Sequence, residues 1–219
     1  MLGGDITLDN VSYHYADADE PILQAVNLRV APGETVAITG PNAAGKTTLL
    51  SLVRGLIRPT EGRILLDGEP IETYSDDVLK RDIAFLPQRE VLFSGTLLEN
   101  LTGFDHNLED QAFNAARVLG FSDAILALPN GFHTEVGGDS GVTLTQGLIQ
   151  RIAIARAILR RPRILLFDDA SSALDISSDM SLKEVLTRLK GSCTTIIVSH
   201  RPSVLRVADR VHDLRDGHL

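Results

Sequence analysis

Gly40-Pro41-Asn42-Ala43-Ala44-Gly45-Lys46-Thr47 satisfies G-x-x-x-x-G-K-[ST] at every fixed position. No other feature limits the fold so strongly, because such a loop works only between the end of a buried strand and the start of a helix. The flanks supply both. Thr35 to Thr39 reads as a short apolar strand, and from Lys46 onward Leu49, Leu50, Leu52, Val53 and Leu56 recur with helical spacing. Backbone N–H groups turned inward at a helix N-terminus hold anionic phosphates. Glycine lets the backbone approach closely, Lys46 sets a point charge on the outer phosphates, and the Thr47 hydroxyl suits Mg2+.

A second element completes this chemistry. Arg163-Ile164-Leu165-Leu166-Phe167-Asp168-Asp169 reads as a buried strand ending in two carboxylates. A carboxylate at a strand tip is placed to hold the metal, directly or through water, so Asp168 is the candidate ligand. Asp169 then points toward an attacking water, as base or polariser.

The rest of the chain follows an α/β plan. Asp5 to Tyr13 alternates, Ile22 to Val30 reads as a strand, and Gly62 to Leu66 and Ile83 to Leu86 are two more. From about Gln88 to Arg160 strand signals vanish. Helix-like segments take over at Thr96–Leu101, Asn107–Leu119, Ser122–Leu128 and Gln146–Arg160. Strands return at Ile164–Phe167, Thr194–Ser199 and Arg210–Leu214, with a helix at about Asp179–Leu189. This is an α/β core with a helical lobe inserted near its middle.

Composition removes several function classes. With 21 Lys+Arg against 29 Asp+Glu, the net charge of −8 gives no basic stripe for nucleic acid. The single cysteine, Cys193, allows no internal disulfide and no zinc cluster, which fits a reducing compartment. No apolar run reaches the roughly 18–20 residues of a membrane helix. Met1-Leu2-Gly3-Gly4-Asp5 is not a signal peptide, so any membrane role is expected to come through a partner.

With these residues in place, the chain resembles the nucleotide-binding domain of ABC transporters along nearly its whole length. Tyr15 matches the aromatic that stacks on adenine, and Gln88 matches the Q-loop glutamine that senses Mg2+ and the transmembrane partner. Leu144-Thr145-Gln146-Gly147-Leu148 sits where the family reads LSGGQ, Ser172-Ala173-Leu174-Asp175 matches the D-loop, and His200 matches the switch histidine. Val91-Leu92-Phe93-Ser94-Gly95-Thr96-Leu97-Leu98-Glu99-Asn100-Leu101 looks exporter-like, and Thr134-Glu135-Val136-Gly137 matches a segment that touches coupling helices. The resemblance implies a P-loop NTPase (RecA-like) α/β core, residues 1–87 and 161–219, with an antiparallel β flank. An inserted helical subdomain, residues 88–160, carries the signature. It implies ATP and Mg2+ as cofactors. Gly40, Pro41, Asn42, Ala43, Ala44, Gly45, Lys46, Thr47, Thr48, Tyr15, Thr145 and Gly147 would contact ATP. Thr47, Gln88 and Asp168 would serve the metal, and Asp169, His200 and Gln88 catalysis. The partners implied are a second nucleotide-binding domain, homo- or heterodimeric, and a transmembrane domain absent from this chain, at the cytoplasmic face of the inner membrane. The chain therefore reads as an excised domain, with a separately encoded subunit as the alternative.

Three departures from the family pattern bear on rate. Ala43 stands where glycine is frequent, and binding is expected to survive it. Asp169 replaces the usual glutamate and is one methylene shorter; misplacing a catalytic group by about 1 Å costs on the order of 10²-fold. Gln146 replaces glycine and Leu148 replaces glutamine in a loop that caps the γ-phosphate across the dimer. Gln146 is expected to crowd that phosphate or to forbid a glycine-type backbone angle. The expectation is a slow ATPase. The rivals are an ATP-gated dimerisation module with little turnover, and an ABC ATPase acting on DNA or ribosomes. The acidic charge and the exporter-like segment argue against the last.

Overall fold

The computed structural model describes residues 1–138, 142–169 and 176–219, the side chains of Asp169 and of 176–182 excepted. In chain order the elements are β1 (Ile6–Tyr13), β2 (Leu23–Val30), β3 (Thr35–Thr39), α1 (Lys46–Val53), β4 (Glu61–Leu66), β5 (Glu69–Pro70), α2 (Asp76–Asp82) and β6 (Ile83–Leu86). Then come β7 (Gly95–Thr96), α3 (Leu97–Thr102), α4 (Glu109–Val118), α5 (Ser122–Leu126), β8 (Glu135–Val136) and α6 (Gln146–Leu159). The chain ends with β9 (Ile164–Asp169), α7 (Ile176–Leu189), β10 (Thr194–Ser199), α8 (Pro202–Leu205) and β11 (Arg210–Asp213).

Two main sheets result. An all-parallel sheet runs β11-β3-β10-β9-β6, and an antiparallel one runs β2-β1-β4-β5. The sequences explain the difference. β9 and β10 are continuous apolar runs because helices or strands cover both their faces; β2 alternates because one face meets water. Side chains alternate across β9, so Ile164 and Leu166 join one hydrophobic cluster and Leu165 and Phe167 the other. The first cluster lies between the two sheets and takes in α1; the second gathers α3 to α8 against the opposite face.

Within the helical stretch the structure differs from the sequence expectation in one respect. Gly95↔Val136 and Thr96↔Glu135 form a small antiparallel pair where no strand was expected. Strands this short carry no readable alternation. α7 also begins earlier than the expected Asp179, at Ile176. The short helices α2 and α8 had no sequence reading, since neither spans enough residues to show a helical period. No helix among the described residues is long and apolar enough to cross a membrane.

Candidate functional site

The parallel strands all run one way, so the ends of β3, β10, β9 and β6 open on a common edge, where α/β sheets bind ligands. From β3 the chain enters the loop of residues 40–45. Gly40 (φ 137°) and Gly45 (φ 98°) both occupy backbone that favours glycine. A Cβ on Gly40 would stand 2.1 Å from the Leu214 carbonyl oxygen, and one on Gly45 would meet Leu23 and Ile22. Packing as well as conformation therefore fixes both glycines. Ala43 also sits at positive φ, 63°, which an L-residue adopts at a cost of about 1–2 kcal/mol.

The loop ends at α1 with Gly45 as N-cap. Glycine has no side chain to cap with, and no acidic residue stands in the first turn. The leading N–H groups of α1 are thus left by the protein to an anion. Lys46 is buried, and its Nζ donates to the carbonyl oxygens of Gly40 at 2.7 Å and Pro41 at 2.5 Å. Burial pushes its ammonium below the ordinary lysine range, while the charges of Asp168 and Asp213 oppose the fall.

Thr47 and Asp168 meet as the sequence suggests: the Thr47 hydroxyl donates to Asp168 Oδ2 at 2.8 Å. Asp168 is buried at 3% exposure, and its Oδ1 has no partner. A hydroxyl beside an orphaned carboxylate oxygen is a hard oxygen set that fits Mg2+. Among the described residues there is no cluster of three or more His, Cys, Asp or Glu that could hold a metal. So few protein ligands suit an ion that keeps waters and phosphate oxygens around it.

Tyr15 lies beside this loop. Its hydroxyl is 2.9 Å from Thr48 Oγ1, and Tyr13 meets its ring edge-on at 4.9 Å between centroids. Asp169 ends β9 in register with Ser199, the last residue of β10, so His200 leaves the sheet beside it. The Asp169 side chain and Ser172-Ala173-Leu174-Asp175 lie outside the described residues. Gln88 is exposed just beyond β6. Thr145 and Gly147 are not brought to the loop. Thr145 caps α6, its hydroxyl accepting from the Leu148 N–H, and among the described residues no hydrogen bond ties either to residues 40–48. Gln146 begins α6 in helical backbone, so the expected need for a glycine-type angle there is overturned; only crowding remains.

Several contacts around the site had no sequence reading. Thr39 Oγ1 donates to Asp213, whose charge also bears on Lys46. Glu90, Asn100 and Arg156 join the segment after Gln88 to the helices. The pairings of Thr39, Glu90 and Arg156 link distant stretches and leave no local pattern to find.

The family described as ABC transporter matches residues 23–172. The ATP-dependent lipid A-core flippase of Cupriavidus metallidurans is 42% identical over 223 residues, covering 99% of this chain and 37% of the flippase. A putative multidrug export ATP-binding/permease protein of Staphylococcus aureus is 40% identical over 217 residues, again 99% of this chain and 37% of the relative. A solved structure of a bacterial Atm1-family ABC exporter with ATP bound superposes with a TM-score of 0.88 at 36% identity, covering 99% of this chain and 38% of that one. The chain thus spans under two-fifths of the length of the relatives it matches.

Proposed function

This chain belongs to the ABC transporter family as an exporter-type ATP-binding domain with a P-loop NTPase fold, and on that premise we propose that it is a slowly hydrolysing motor. It closes head to tail with a second such domain around two Mg-ATP. The observation that carries this is the Thr47–Asp168 pair beside buried Lys46 at the uncapped start of α1. Residues 1–87 and 161–219 make the ATP-binding core, and 88–160 the lobe that offers Thr145 and Gly147 to the partner's nucleotide.

Each residue then has a task. Backbone N–H groups of residues 42–48 and the Lys46 ammonium bind the phosphates, and Tyr15 stacks on adenine. Thr47 and Asp168, with Gln88, hold Mg2+, which when bound neutralises charge on the phosphate oxygens. Asp169 takes the proton of the attacking water, and His200, leaving the neighbouring strand, orients the γ-phosphate. The membrane-spanning part seats on the cleft of about 590 Å³ next to Gln88, lined by Phe85, Pro87, Val91, Phe93 and Ala153. Support comes from the permease portion named in a relative and absent from the matched span. That partner places the chain at the cytoplasmic face of the inner membrane.

A second reading, ATP-gated dimerisation with little turnover, is favoured by Asp169 and by Gln146 and Leu148 in the signature. Steady-state phosphate release from the intact exporter separates the two. For the shared premise, Lys46→Ala is expected to abolish tight Mg-ATP binding in a calorimetric titration. Unchanged affinity would remove the phosphate-loop reading.

A further inference from the structure

Gln146 is the bulkiest departure in the signature, and the structure shows where its side chain goes. Its Nε2 donates to Glu90 Oε2 at 3.2 Å. Glu90 lies two residues beyond Gln88, on the stretch that leaves β6, whereas Gln146 is the first residue of α6. Glu90 is partly buried, and that desolvation pushes its carboxyl above the ordinary range. Hydrogen bonds from its own backbone and from Gln146, the charge of Arg201 and a hydrogen bond from Gln150 draw it back. Gln150 lies one helical turn after Gln146 and is 2% exposed. Arg201 follows His200, and its N–H donates to Ser199 Oγ at 3.1 Å. One carboxylate therefore stands among the stretch after Gln88, the start of the signature helix, and the stretch after β10.

We propose that Glu90 is a positioning residue: it holds the Gln146 side chain against its own chain, clear of the phosphate that Thr145 and Gly147 must reach across the dimer. The inference rests on the head-to-tail reading above. A glutamine at the first position of a helix, left free, sweeps the space over the helix N-terminus, where the anion has to sit. A glycine there sweeps nothing. The hydrogen bond to Glu90 confines the long side chain to one side of that space. Glu90 thus supplies the clearance that a glycine at this position would give without help.

The test uses the intact exporter that carries this chain, with distance probes on its two ATP-binding domains, titrated with a non-hydrolysable ATP analogue and Mg2+. Glu90→Ala is expected to raise the half-saturating concentration for closure about tenfold, the scale of coupling between contacting residues. Gln146→Leu, which keeps the bulk but cannot donate, should do the same and serves if Glu90→Ala fails to fold. Glu90→Gln still offers an oxygen to Gln146 and should close near the wild-type concentration. In a Gln146→Gly background, Glu90→Ala should have no effect. An equal loss in both backgrounds would overturn the inference, since Glu90 would then act without Gln146. If the wild type does not close at all, the head-to-tail reading fails, and the inference falls with its premise.

Discussion

Tyr15 touches the phosphate loop through its hydroxyl, while its ring, 45% exposed, remains open to a base. The two contacts can be separated. Tyr15→Ala is expected to weaken ATP binding by about 1–3 kcal/mol, the usual range for stacking a base on an aromatic ring. Affinity for inorganic triphosphate should stay the same, and an equal loss for both ligands in parallel titrations would argue against adenine contact. Tyr15→Phe keeps the ring and removes only the bond to Thr48, so its effect should be the smaller. Gly40 tests the loop itself. Gly40→Ala forces a Cβ into the Leu214 carbonyl at a backbone angle alanine resists, so binding and melting temperature should fall together. The motif announced Gly40, Lys46 and Thr47 in the sequence because their chemistry is local to one loop. That Gly40 is also pressed by Leu214 was not legible, since nothing in the spacing says which distant strand will lie beside β3.

Among the elements, the stretch from Gln88 to Ser94, between β6 and β7, is held by side chains, and strand pairing to β8 begins only at Gly95. Asn100, fully buried in α3, accepts from the Phe93 N–H at 2.8 Å and donates to the Phe93 and Thr96 carbonyl oxygens. Arg156 of α6 donates to the Asn100 carbonyl oxygen at 2.8 Å and to that of Val91, with its guanidinium over the Phe93 ring. Asn100→Ala leaves the partly buried backbone groups of Phe93 and Thr96 without that partner, at a cost of about 1 kcal/mol, the low end of the range for an unsatisfied group. Calorimetric melting should show a lowered Tm, and amide exchange should rise at residues 93–96. A change in neither would mean that Arg156 alone holds the stretch. Both helices were legible here: α6 has a period, and Thr96–Leu101 reads as helix-like, close to the observed α3. Asn100 was not, because a buried amide serving a loop looks in sequence like any polar residue on a helix.

For the whole molecule, the slow motor proposed above has its turnover set by Asp169 more than by binding. Asp169→Glu should raise the rate of the intact exporter at saturating Mg-ATP, because the longer side chain regains reach to the water in line with the phosphate. A rate that stays level or falls would show Asp169 already well placed and end the slow-ATPase reading. The sheet order carries one more consequence. Among the described residues, β3, from which the phosphate loop springs, has as its only neighbours β10 and β11, both far downstream of it. On the ribosome, the loop is therefore made before either strand that frames β3 has emerged. Such distant pairing is slow, and an unpaired β3 is exposed to misassembly meanwhile. A nascent chain halted before Thr194 would carry every residue of the nucleotide loop and still lack both strands that flank β3.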